Sequence, residues 1–190
     1  KTMFLHPVKS FLLLTCSLSG SCQAATVPEA PVRTGCEQTE AYLPDLAGKR
    51  VALVANQTTI IGRAHLVDSL VHCGVKVVKI FSPEHGFRGD GDEGLSIDNS
   101  IDRRTGIPIV SLYGKKEKPA PEDMAGIDLM IYDIQDVGVR FYTYISTLHY
   151  VMEACAESGI PLLLRDRPDP LGHYVDGPMR DPDYTSFVGL

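Results

Sequence analysis

Apolar and polar positions follow one another in blocks along this chain. Arg50-Val51-Ala52-Leu53-Val54-Ala55 is a nearly unbroken apolar run of strand length. Gly62 to His72 follows with Leu66, Val67, Leu70 and Val71 at helical spacing, and Gly74 marks the stop. Val75 to Phe81 reads as a second strand, rich in β-branched residues. Residues 82–106 read as a long loop rich in Gly and Asp, and Ile107 to Leu112 as a third strand despite Pro108 near its start. A short helix at Glu122-Asp123-Met124 is bounded by Pro121 and Gly126, and Asp128 to Tyr132 forms a fourth strand. The clearest helix runs from about Arg140 to Glu157. Phe141, Tyr144, Ile145, Leu148, Val151, Met152 and Cys155 recur three and four apart there, giving one apolar stripe to pack on a sheet. Gly159 ends that helix, and Pro161 to Arg165 is the fifth strand. Fully apolar strands alternating with helices predict an α/β fold: a mostly parallel sheet with helices on both faces.

The first residues stand outside this pattern. Lys1, His6 and Lys9 precede the apolar run Phe11-Leu12-Leu13-Leu14, followed by small residues and Ala24-Ala25. This is the pattern of a secretory signal, with cleavage expected after Ala24. The run is too short to span a bilayer, which takes about 20 helical residues. A periplasmic or secreted protein is the expectation, with lipoprotein anchoring through Cys22 as the alternative. Residues 25–34, with Pro28 and Pro31, read as a linker, leaving 35–190 as one domain. Cys36, Cys73 and Cys155 then remain, an odd number without metal-ligand spacing; Cys73 and Cys155 are expected as small buried hydrophobes.

Composition adds little beyond exclusions. With 44% hydrophobic residues the chain can bury a core, and a net charge of -6 argues against nucleic-acid partners. The one basic cluster, Lys115-Lys116-Glu117-Lys118, reads as a solvated loop.

Chemistry collects where a parallel sheet binds ligands, outside the carboxyl ends of its strands. Those ends carry Asn56 and Gln57; Glu84, His85 and Arg88; Tyr113; Asp133, Gln135 and Asp136; and Asp166 and Arg167. No glycine fingerprint follows the first strand, and no Walker or G-x-S-x-G pattern is present. Gly89 to Gly94 misses EF-hand spacing and reads as a solvated loop and a candidate lid. Glu84, His85, Asp133 and Asp136 allow a metal hydrolase, although H-x-H and H-E-x-x-H spacings are missing. Carboxylate chemistry is favoured. Glycoside hydrolysis needs an acid to protonate the leaving oxygen and usually a second group as base or nucleophile. Glu84 is the candidate acid, with Asp133 and Asp136 from another strand end. Tyr113, Tyr142 and Tyr144 offer faces for sugar rings and hydroxyls for their edges. A plainer role for Asp136 is to cap the helix that follows, with Arg140 as its ion-pair partner.

Four motifs occur in order: Ser-Pro-Glu-His-Gly-Phe-Arg-Gly at 82–89, Thr-Gly-Ile-Pro-Ile-Val-Ser-Leu-Tyr-Gly at 105–114, Asp-Ile-Gln-Asp-Val-Gly-Val-Arg-Phe-Tyr-Thr-Tyr at 133–144, and Asp-Arg-Pro-Asp-Pro-Leu-Gly at 166–172. Together they resemble the exo-β-N-acetylmuramidases of the NamZ type. The resemblance implies a Rossmann-like domain joined to a smaller second domain, with the active site in the cleft between them. It also implies release of terminal N-acetylmuramic acid from peptidoglycan-derived muropeptides or disaccharides, without a metal or nucleotide cofactor. The family's catalytic acid falls on Glu84 and its neighbour on His85; the Asp-Ile-Gln-Asp segment falls on Asp133, Gln135 and Asp136, and the aromatic residues on Tyr142 and Tyr144. Thr59, Asp169 and His173 depart from the family's usual Gly, Asn and Gly. The second domain is expected to be largely absent from these 190 residues. A non-catalytic cell-wall sugar-binding module is the alternative from another class.

Overall fold

A computed structural model describes residues 31–89 and 100–190. The expected signal segment, most of the linker and the Gly/Asp-rich stretch from 90 lie outside the described residues. The sheet is built from β1 (Arg50–Ala55), β4 (Lys76–Ser82), β5 (Ser100–Ile101), β6 (Pro108–Ser111), β7 (Leu129–Asp133) and β8 (Leu162–Leu164). Its order is β5-β6-β4-β1-β7-β8, with every neighbouring pair parallel except the edge strand β5. In order of appearance the five parallel strands run 3-2-1-4-5, the doubly wound arrangement, so the direction of winding reverses between β1 and β7.

The period of two along each strand sorts its side chains to opposite faces. Val51, Leu53, Ala55, Ile80 and Ile131 pack in one layer against α1 (Thr39–Leu46) and α2 (Leu66–His72). Ala52, Val54, Phe81, Val110, Met130 and Tyr132 pack in the other, against α3 (Pro121–Met124) and α4 (Tyr144–Ser158). Each face therefore carries its own apolar layer, as fully apolar strands require.

Several elements differ from the sequence reading. Helix α1 is additional; Pro44 inside it obscures the signal carried by Tyr42 and Leu46, both buried. The helix expected from Gly62 starts only at Leu66, because a small antiparallel pair, β2 (Ile60–Ile61) and β3 (Ala64–His65), precedes it. His65 closes that entry: its ring accepts from the Val67 amide. The long helix begins at Tyr144 rather than near Arg140, and Val139 to Tyr142 form a turn in which the Tyr142 amide bonds the Val139 carbonyl. Its apolar arc is wider than the contact with the sheet. Tyr144, Val151 and Cys155 are buried, whereas Phe141, Ile145 and Met152 face outward. Cys73, expected to be buried, is exposed; Cys36 and Cys155 are buried thiols.

The first turn of the domain is tied to its last strand. Gly35 donates to the Asp166 carbonyl at 2.7 Å, and a Cβ at Gly35 would stand 2.7 Å from the Asp166 nitrogen. Only a glycine lets the two backbones approach this closely.

Candidate active site at the carboxyl edge of the sheet

The winding reversal between β1 and β7 is where an open α/β sheet ordinarily receives ligand. Here it is filled by its own side chains. Asp133 is fully buried and receives two hydrogen bonds from Arg167, at 2.6 and 3.0 Å. Burial pushes the Asp133 carboxyl up, and the Arg167 guanidinium opposes that shift. The second Arg167 nitrogen also reaches the Cys36 sulfur and the Ile60 carbonyl. Thr59 donates to the Asp133 carbonyl and accepts from the Asn56 amide, while the Gln135 amide donates to Thr58. Asn56 is buried; its side-chain oxygen accepts from the Thr58 amide and hydroxyl. Gln135 in turn donates to the Pro168 carbonyl at 2.9 Å, joining the ends of β7 and β8.

An open crevice lies beside this knot, over the ends of β4 and β6. The turn Pro83–Gly86 closes with the Gly86 amide on the Pro83 carbonyl, and His85 takes a positive φ of 70°. A positive φ at the third position of a β-turn suits glycine, so histidine there is strained by about 1–3 kcal/mol. That geometry places Glu84 between two elements. Thr143, the residue before α4, donates to Glu84 Oε2 at 3.2 Å. The Tyr113 hydroxyl faces Glu84 as well, and the carboxyl raises the phenol's pKa by favouring its protonated form. Glu84 borders two hollows. One, of about 420 Å³, is lined by Tyr113, Gly114, Glu117, Thr143, Phe187 and Val188. The other, of about 150 Å³, is lined by His85, Phe141, Tyr142, Thr143 and Tyr144. Tyr142 and Tyr144 meet edge to face at 5.4 Å, and the buried Tyr144 hydroxyl faces the side chains of Asn56 and Gln57. A carboxyl held between hydroxyls and flanked by aromatic walls suits a polyhydroxylated ring better than a flat, charged or purely apolar ligand.

A family model described as "Exo-beta-N-acetylmuramidase NamZ, N-terminal" matches residues 51–190. The chain belongs to this family. It is 43% identical over 181 residues to the peptidoglycan β-N-acetylmuramidase NamZ of Bacillus subtilis (strain 168), covering 92% of this chain and 43% of that protein. Two crystal structures of DUF1343 family proteins from Bacteroides fragilis NCTC 9343 share the fold. One superposes with a TM-score of 0.74 at 48% identity, covering 84% of this chain and 41% of the other. The second gives 0.75 at 40% identity, covering 83% and 40%. The chain thus spans less than half the length of each of these relatives.

Within this NamZ-family domain the residues singled out from the sequence divide into two groups. Glu84, His85, Tyr113, Tyr142 and Tyr144 come together at the crevice. Asp133, Arg167 and Asn56 are drawn into the buried knot, and Arg88 is held by Asp68 and Asp102 at 2.9 Å each. Gln57 lies against the position of Gly89, and Asp166 is exposed, with its side chain accepting from the Arg167 amide. Asp136 accepts from the Val137 and Gly138 amides, so it caps its own turn; Arg140 donates to the Pro178 carbonyl instead of pairing with it. Phe87 packs edge-on against His65. The four residues of the metal alternative do not assemble: among the described residues no three His, Cys, Asp or Glu side chains form a ligand group. Thr143 and Glu117 are additional. A threonine just ahead of an apolar-periodic helix is a readable capping signal. Glu117 was hidden among Lys115, Lys116 and Lys118, two of which the fold takes elsewhere: Lys116 to Asp123 at 2.6 Å, Lys118 to Glu153 and Glu157.

Proposed function

We propose that this chain carries the acid-bearing wall of an exo-acting glycoside hydrolase that removes terminal β-linked N-acetylmuramic acid from peptidoglycan fragments. The observation that carries the reading is Glu84, bordering both hollows, bonded to Thr143 and faced by Tyr113. Membership of the NamZ family supports the substrate class. In this reading Glu84 protonates the glycosidic oxygen as the bond to the terminal sugar breaks. His85 and the Tyr142–Tyr144 pair line the sugar beside it. Asp136, just after β7, remains a candidate for the second group, and the reaction runs outside the cytoplasm in the periplasm or beyond. No nucleic acid takes part.

The test uses the protein from its complete reading frame with a disaccharide of N-acetylmuramic acid and N-acetylglucosamine, or with a chromogenic muramic acid glycoside. Wild type is expected to release the terminal sugar, and Glu84→Gln to lose about 10²–10⁴-fold in kcat, the usual contribution of a general acid. Undiminished turnover in Glu84→Gln sinks the role of Glu84; no release from either substrate sinks the activity. Because the chain spans less than half of its relatives' length, a second reading is that these residues bind cell-wall sugar without turning it over. Muropeptide binding without product would favour it.

A further inference from the structure

The two hollows beside Glu84 differ in charge as well as size. Glu117 joins Glu84 in the larger one, and no Lys, Arg or His side chain lines it among the described residues. Of the neighbouring lysines, Lys116 is held by Asp123, Lys118 is held by the two glutamates of α4, and Lys115 is exposed and outside the lining of the hollow. This hollow is also a built one. Ser146 donates to the Phe187 carbonyl at 2.6 Å, and the Phe187 ring stacks on Tyr150 with an interplanar angle of 5°, so its far wall is pinned to α4. The smaller hollow has the opposite character. It adds His85 to Glu84, no second acid, and three aromatic rings, of which Phe141 is 71% exposed and free to meet a ligand face.

From this asymmetry, and resting on the glycosidase reading above, we infer that Glu117 sets which side of the scissile bond may carry charge. The terminal, carboxylate-bearing sugar occupies the His85–Phe141–Tyr142 hollow. The larger hollow receives the leaving sugar and selects for a neutral one. N-acetylmuramic acid bears a lactyl carboxylate, whereas N-acetylglucosamine is uncharged. A carboxylate placed beside Glu117 meets a like charge in a partly enclosed space, where repulsion is less screened than in open water. Glu117 is thus a specificity-determining residue for the leaving group rather than a proton donor.

The experiment compares two chromogenic β-glycosides of N-acetylmuramic acid, one with a 4-nitrophenyl leaving group and one with a 3-carboxy-4-nitrophenyl leaving group. The quantity read is the ratio of kcat/KM for the anionic over the neutral glycoside, taken for each variant relative to wild type, so that the intrinsic difference between the leaving groups cancels. Glu117→Gln is expected to raise that ratio about 5–10-fold, as removal of one like charge near a protein surface does. Glu117→Lys raises it further, and both effects shrink as salt is added. Phe141→Ala is expected to lower kcat/KM for both glycosides alike, leaving the ratio unchanged. A ratio unmoved by both Glu117 variants overturns the inference, as does a ratio moved by Phe141→Ala instead. If wild type releases nitrophenol from neither glycoside, the catalytic reading fails and this assignment with it; release with an unmoved ratio removes the assignment alone.

Discussion

The ends of β1 and β7 and the ends of β4 and β6 lie side by side on one edge of the sheet, and both are rich in polar side chains. They use them in opposite ways. At β1 and β7 most of the strong groups are spent on other protein groups: Asp133 on Arg167, Thr59 on the Asp133 carbonyl, the Asn56 side-chain oxygen on the Thr58 turn. At β4 and β6, Glu84 is bonded to one hydroxyl, faced by another, and still borders two hollows. Polar composition at a strand end therefore says that something is being organised there, whereas pairing says whether it is the fold or a ligand. The ordinary ligand position of a doubly wound sheet has become framework, and the open crevice sits one strand over.

That contrast breaks most sharply at Glu84. Its replacement by Gln is expected to abolish most turnover by about 10²–10⁴-fold while leaving the melting temperature near that of wild type. Loss of stability on the same scale as loss of turnover would place Glu84 with the framework instead. Arg167→Met should behave in the reverse sense. Removing one partner of a buried pair leaves Asp133 uncompensated and costs about 3–5 kcal/mol of folding stability in denaturant titrations. The double variant Asp133→Leu with Arg167→Met should recover much of that loss, and failure to recover would show that the pair does more than satisfy itself.

The Arg88 ion pairs give a pH test of the same division. Hydrogen bonding to Arg88, then to Thr105, holds the Asp102 carboxyl well below the usual carboxylate range against the opposing effect of burial. A carboxyl depressed on folding adds stability that is complete above its unfolded pKa of about 3.9 and fades as the pH falls through the folded value. Thermal melts should thus show wild type losing stability below about pH 4. Asp102→Asn should start lower at neutral pH and decline less steeply; parallel curves would mean that Asp102 is not the group that titrates. The smallest effect is expected at His85. His85→Gly relieves the positive φ and should raise stability by about 1 kcal/mol, with reduced turnover if the ring lines the bound sugar. A destabilised His85→Gly would mean that the ring's contacts outweigh the turn strain.

The layering was readable because it follows from period alone: apolar runs at β1, β4 and β7 alternate with helical spacing in α2 and α4. Helix α1 escaped because Pro44 interrupts a short pattern, and β5 because two exposed residues cannot signal an edge strand. At the crevice, Glu84, His85 and the tyrosines stood out by residue type and motif. What a sequence does not display is which polar groups pair with one another. Asp133 and Arg167 are separated by 34 positions, and only the fold shows them sharing two hydrogen bonds in the interior. Glu117 escaped for the same reason: its lysine neighbours find acids on α3 and α4, and that leaves it facing the hollow.

The contact between Gly35 and Asp166 bears on the timing of biosynthesis. Cys36 and Arg167, beside it, are 131 positions apart. During synthesis the first turn of the domain leaves the ribosome long before its partner exists, at roughly 5–20 residues per second. Contacts of such long separation close late, because the intervening loop must be ordered first. The Gly35–Asp166 and Cys36–Arg167 contacts therefore cannot close until the fifth parallel strand has docked.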